Sequence, residues 1–129
     1  MTANIVEITG AEYPQEYKGH KILPMEGTSL LPALSGEELD RGPLFFEHEG
    51  NATVRMGKWK LVREYPGDWE LYDMSVDRTE TNDLSDQYPE LVKSMSEQYE
   101  EWADRCGVIP REKILQILES EGKAFWEDE

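Results

Sequence analysis

Between Leu44 and Asp73 apolar and polar residues alternate, and this is the strongest regularity along the chain. Period-two alternation rich in aromatic and branched residues predicts strands at residues 44–48, 52–56, 59–64 and 69–73. Gly57 and Lys58 suit a two-residue hairpin loop with glycine first. Pro66 and Gly67 suit the central positions of a type II turn from Tyr65 to Asp68. Connections this short force antiparallel neighbours, so the strands form a meander. Trp59 and Leu61 share one side, as do Trp69 and Leu71, which leaves one apolar face to be covered.

The cover follows in sequence. Over residues 89–105 the apolar positions recur at spacings of three and four, through Leu91, Val92, Met95, Tyr99, Trp102 and Ala103, which marks the stripe of an amphipathic helix. Pro89 is tolerated in its first turn, Glu90 suits the positive dipole end, Arg105 suits the negative end, and Gly107 is a ready cap. The expected fold class is α+β: two layers, an antiparallel meander of about four strands against one long amphipathic helix. Its expected core includes Trp59, Leu61, Trp69, Leu71, Leu91, Met95, Tyr99 and Trp102. A second, shorter helix is predicted over residues 111–121, before an acidic end, "FWEDE".

The N-terminal third is less regular. Residues 2–9 place Ile5, Val6 and Ile8 roughly on one side of a short helix that Gly10 ends; at that length it must lean on something else. Residues 10–27 read as loop, punctuated by Pro14, Gly19, Pro24 and Gly27. Residues 28–34 read as one helical turn begun by Thr28 or Ser29 and disturbed by Pro32. The expected organisation is an N-terminal arm and linker over residues 1–42 and an α+β subdomain over residues 43–129.

Charge narrows the possible partners. With 28 acidic against 13 basic residues, the net charge of −15 excludes the clustered cations that nucleic acid or an anionic membrane surface requires. No apolar run approaches bilayer length, and the N-terminus lacks the pattern of a signal peptide, so no compartment is legible. A single cysteine, Cys106, excludes an internal disulfide, and two distant histidines make a structural zinc site improbable. Cys106 falls on the helix stripe, where a structural thiol is expected.

Three motifs carry candidate chemistry. "DMSVDRTETNDL", from Asp73, resembles a calcium loop, but Arg78 and Leu84 stand where that pattern needs glycine and an acid, so a loop held by Asp and Thr side chains is expected. "NAT", at Asn51–Thr53, is a three-residue glycosylation sequon at a hairpin corner, explained equally by the tolerance of Asn for left-handed angles. "EHEGN", residues 47–51, puts a histidine among carboxylates that could tune it as an acid or base; alternatively it is a solvated turn whose Gly50-Asn51 supplies unusual backbone angles. No nucleophile–base pair or phosphate loop completes a catalytic site.

Together, "EGTSLLPALSG", "FFEHEGNATVRMGKWKLVREYPGDWELYD", "DRTETNDLSDQYPELVKSM" and "EEWADRCGVIP" resemble the C-terminal portion of arylsulfatases. In that family a "G-x-S-L-x-P-x-L-x-G" segment, an "EHEGN-R-A-x-R-x-G-x-W-K-L" hairpin, "W-E-L-Y-D-L" and "D-x-x-E" recur in this order. The opening segment likewise resembles the tail of the family's "D-I-x-x-T-x-x-D-x-x-G" stretch. Ala52 directly follows Asn51, where the family has Arg and then Ala.

The resemblance implies a sulfuric ester hydrolase whose N-terminal domain holds calcium and a formylglycine made from "C/S-x-P-S-R". The only cysteine here lies in "CGVIPR", so no catalytic residue, metal site or cofactor is expected in this chain, and the chain alone is expected to be inactive. Its expected partner is the N-terminal catalytic domain, on which it would pack. His48 and Asn51 are the expected substrate-side contacts at the entrance; the alternative is a hairpin that only packs. Separated from that domain, the chain is expected to self-associate through residues 1–42. The competing functional reading is a stand-alone acidic interaction module without catalysis.

Overall fold

The structure is a computed structural model and describes residues 2–39 and 41–121. The chain divides into two compact units, the first through Gly42 and the second from Pro43.

In the first unit α1 spans Thr2–Thr9 and buries Ala3, while Ile5 and Ile8 are exposed. Asn4 Oδ1 accepts a hydrogen bond from the Leu30 N–H, tying α1 to the end of this unit. The stretch expected to be all loop contains a small hairpin, β1 (Glu16–Tyr17) against β2 (His20–Lys21). Lys18 and Gly19 both have positive φ, the combination that turns two strands back in two residues. Helix α2 spans Leu31–Leu34. Ser29 does not cap it; its Oγ accepts from the Leu31 N–H two residues on. Pro32 falls in the first turn, where its missing N–H costs nothing, so it fits the helix rather than disturbing it.

The second unit is the expected α+β layer pair. Strands β3 (Leu44–His48), β4 (Asn51–Met56), β5 (Trp59–Arg63) and β6 (Glu70–Asp73) form an antiparallel sheet in sequence order. Facing pairs Phe45–Val54, Val54–Leu61 and Leu61–Leu71 put these side chains in one row across the covered face. Helix α3 (Pro89–Cys106) lies on β4 and β5 and buries Met95, Tyr99 and Ala103 against them. Val54, Leu61, Leu71 and Met95 are completely buried, and Ala52 nearly so. Trp59, Trp69, Leu91 and Trp102 are only partly buried and ring this centre. Large indole rings reach from the centre to the rim, whereas Ala52, Val54 and Ala103 fill the close helix–sheet contact. Phe45 stacks on Trp102 with ring centroids 5.4 Å apart.

Gly107 ends α3 with φ of 71°, and the Val108 N–H returns to the Ala103 carbonyl, a Schellman arrangement. Cys106 is half-buried rather than enclosed. Helix α4 spans Arg111–Glu121. The "FWEDE" end lies outside the described residues.

Two turns behave differently. At Gly57-Lys58 the glycine alone has positive φ, as expected for the tight hairpin from Met56 to Trp59. Around Pro66 the Tyr65–Pro66 peptide is cis, and the Glu64 carbonyl accepts from the Gly67 N–H at 2.6 Å. The turn therefore runs from Glu64 to Gly67 with a cis proline at its third position, not from Tyr65 as a type II turn. Gly67 is needed for space, since a Cβ there would stand 2.9 Å from the Glu64 carbonyl oxygen.

Candidate functional site

The "EHEGN" hairpin has a two-residue loop, Glu49-Gly50, with His48 and Asn51 as its facing pair. Positive φ falls on Glu49 (55°) and Gly50 (90°). Asn51 is thus not a left-handed corner residue but the first residue of β4. Its Oδ1 accepts from the Tyr65 N–H at 2.9 Å, linking this hairpin to the cis-proline turn. Glu47 closes the loop from within, its Oε1 accepting the Gly50 N–H at 2.7 Å.

Alternation then divides the five residues between two faces of the sheet. His48 and Asn51 fall on the open face, both exposed, and line a shallow depression of about 450 Å³ with Phe46, Thr53, Val62 and Glu64. The two residues named from the sequence are brought together. Among the described residues that line it there is no cysteine, serine or lysine.

Glu47 falls on the covered face, opposite Ala52. There Glu47, Arg63, Tyr65, Tyr99, Asp104 and Arg111 line a cavity of about 290 Å³, bounded by the hairpin, the cis-proline turn, the end of α3 and the start of α4. The register gives the signal that was missed: Glu47, Ala52 and Arg63 form one row, so two charged residues stand on an apolar face. The Arg63 guanidinium lies 4.6 Å from the Trp69 ring centre and 5.9 Å from that of Tyr99. Burial pushes the Tyr99 hydroxyl pKa up; nearby Glu47 adds to this and Arg63 partly offsets it.

The acidic loop after β6 is held by its own side chains. Asp77 accepts from the Asn82 and Thr81 N–H groups, and these bonds lower its pKa. Asp73 accepts from the Lys58 ammonium at 2.6 Å and from Ser75, which together hold its pKa at about 2. Among the described residues no group of three or more His, Cys, Asp or Glu is placed to hold a metal ion.

No model of a known protein family matches the chain. Arylsulfatase K of Xenopus laevis is 29% identical over 101 residues, covering 70% of this chain and 19% of that protein. Among solved structures, Ps i-CgsB superposes on 80% of this chain with a TM-score of 0.61 at 23% identity; the match is 23% of its own length. A Bacteroides thetaiotaomicron protein from a locus for the metabolism of multiple glycosaminoglycans gives 0.62 at 22% identity, covering 77% of this chain and 23% of its own. A third structure, in complex with its substrate D-glucosamine-2-N,6-O-disulfate, gives 0.59 at 23% identity, with 86% and 24% covered. The chain resembles the C-terminal portion of an arylsulfatase, and it spans about a fifth to a quarter of the proteins it matches.

Proposed function

We propose that this chain is the C-terminal subdomain of an arylsulfatase-like sulfuric ester hydrolase. In that reading the second unit packs on a catalytic domain elsewhere in the parent protein, and residues 1–42 are the arm that joins them. The observation that carries it is the coincidence of motif and structure. "EHEGN", "GKW" and "WELYD" are consecutive parts of one sheet, the same fold as the partial matches above.

The paired His48 and Asn51 are the substrate-side contacts at the entrance. Both are exposed at the hairpin tip and suited to hydrogen-bond a polar sulfate ester, Asn51 through its side-chain NH2 because its Oδ1 already accepts from the Tyr65 N–H. The described residues do not fit the calcium or formylglycine of the intact family. No carboxylate cluster is placed for the metal, and Cys106 lies half-buried at the end of α3 outside the precursor motif. In this reading the chain alone is inactive and its contribution to the reaction is positional.

The test is aryl-sulfate hydrolysis by the chain alone and after mixing with the catalytic portion of a matching sulfatase. Activity only in the mixture, with KM raised by His48→Ala or Asn51→Ala and kcat little changed, is the expected outcome. Equal activity with and without the chain would favour the acidic interaction module instead.

A further inference from the structure

The two edges of the four-stranded sheet are finished differently. β6 forms one edge, and its outward Leu71 N–H and carbonyl are taken up by Asp83 Oδ1 and the Leu84 N–H. β3 forms the other edge. Glu49 and Gly50 make a two-residue loop with positive φ at both positions, so His48 and Asn51 exchange backbone hydrogen bonds, and bonding to β4 then recurs at Phe46 and Leu44. Phe45 and Glu47 therefore turn their N–H and C=O groups away from β4, and there they make no backbone hydrogen bond to a described residue. The usual guards of an open edge are thin here. The strand, LFFEH, has no proline, lysine or bulge, and Phe46 on the open face is 56% exposed. Its one carboxylate, Glu47, is held within its own hairpin by the Gly50 N–H.

We propose that the outer edge of β3 docks on the β3 edge of a second copy, joining two sheets into one continuous antiparallel sheet. Register singles out one arrangement. Two copies related by a twofold axis pair about a single central residue, and the outward groups of Phe45 and Glu47 have to meet each other. A centre at Phe45 would set Glu47 against Pro43, which has no N–H to give. A centre at Glu47 would set two carboxylates face to face. A centre at Phe46 satisfies both residues: Phe45 exchanges bonds with the partner's Glu47, and Leu44 faces the partner's His48. Phe46 then meets the partner's Phe46 on the axis as a non-hydrogen-bonded pair, with Cα atoms about 4.5 Å apart. Phe46, Thr53 and Val62 face one another across three strands, so the axis doubles this row and covers the exposed ring. The net charge of −15 on each copy opposes the contact, and salt should strengthen it. This inference concerns the chain's own edge and stands whether or not the chain serves a sulfatase.

Amide exchange in the full ¹⁵N-labelled chain reads the edge directly. The Phe45 and Glu47 amides should gain protection as concentration and salt rise, while the Phe46 amide, bonded within the hairpin, is protected throughout. Phe46→Lys sets two like charges on the axis at an exposed position and should weaken the dimer more than about tenfold in sedimentation. Ile8→Lys, at an exposed position of the first unit, should leave it unchanged. Phe46→Cys in a Cys106→Ser background should form a disulfide-linked dimer on mild oxidation, since a non-hydrogen-bonded pair lies within bridging distance. A monomer under all conditions, a dimer that Phe46→Lys leaves intact, or a dimer whose Phe45 and Glu47 amides still exchange freely would overturn the proposal. So would protection of those amides only on mixing with the catalytic portion of a matching sulfatase, which would give the edge to that domain.

Discussion

Gly50 and Arg111 meet so closely that a Cβ on the glycine would stand 2.8 Å from the Cβ of the arginine. The tip of the "EHEGN" hairpin is thereby seated against the start of α4, with the Tyr65 ring 3.0 Å from the same point. The glycine is required twice, for this approach and for its φ of 90°. Gly50→Ala is expected to cost about 1–3 kcal/mol, the strain of a disfavoured backbone region, before any movement of α4. Denaturant unfolding checks the loss, and a variant as stable as the parent would show that hairpin and helix are not in contact.

The core prediction follows burial rather than side-chain size. Leu61 and Met95 are completely buried, so Leu61→Ala or Met95→Ala should cost about 2–5 kcal/mol. Trp102 is only partly buried and stacks on Phe45, so Trp102→Ala should fall below the ~3–5 kcal/mol of a fully buried indole. Thermal melts of the three variants in parallel give the order. Trp102→Ala as the worst of them would contradict the packing described.

Asp83 protects an open edge. β6 is the last strand of the sheet, and on its outer side the Leu71 N–H donates to Asp83 Oδ1 at 2.9 Å while the Leu71 carbonyl accepts from the Leu84 N–H. Burial works to raise the Asp83 pKa, but the bonds from Leu71 and Ser85 outweigh it and leave it lowered. Asp83→Ala should cost about 1–3 kcal/mol by stranding a buried N–H and should free the edge for pairing with another chain. Light scattering on heating would register that pairing.

Stability should fall in acid. A carboxyl whose pKa is lower folded than unfolded stabilises the fold above its unfolded pKa of about 3.9, and that stability is lost as pH drops through the folded value. For Asp73, held at about 2 by Lys58 and then Ser75, the loss runs from about pH 4 down to pH 2. Asp73→Asn should be less stable than the parent at pH 7, and the two should converge towards pH 2. Tryptophan fluorescence across that range measures it; curves that stay parallel would remove Asp73 as the cause.

Self-association is the expected fate of the chain on its own. Ile5, Ile8, Leu23, Leu30 and Leu34 of the first unit are exposed, as is Phe46 on the open face of the sheet. A symmetric dimer is the commonest way to cover such surface, and the net charge of −15 opposes it. Added salt screens that repulsion, so the dimer should tighten as salt rises. Sedimentation at micromolar concentration in low and high salt decides; a monomer in both would refute it.

The sequence by itself determined the meander, the long helix with its glycine cap, and the resemblance to the C-terminal portion of arylsulfatases. Each rests on a signal local to the chain: period two, period 3.6, and motifs within a few residues of one another. Pairing His48 with Asn51 was not legible, since the sequence pattern left Asn51 in the turn and only the register shows a two-residue loop. Only the tertiary structure decided which tryptophans are central, because alternation names a face but not the distance to the helix above it. It also decided the Glu64–Gly67 turn, where a hydrogen bond closes one residue earlier than the Pro-Gly pair suggests. Most of all it decided the cavity of Glu47, Arg63 and Tyr99. These residues lie far apart in sequence and meet only because register sets two charges in one row and α3 brings a tyrosine down beside them.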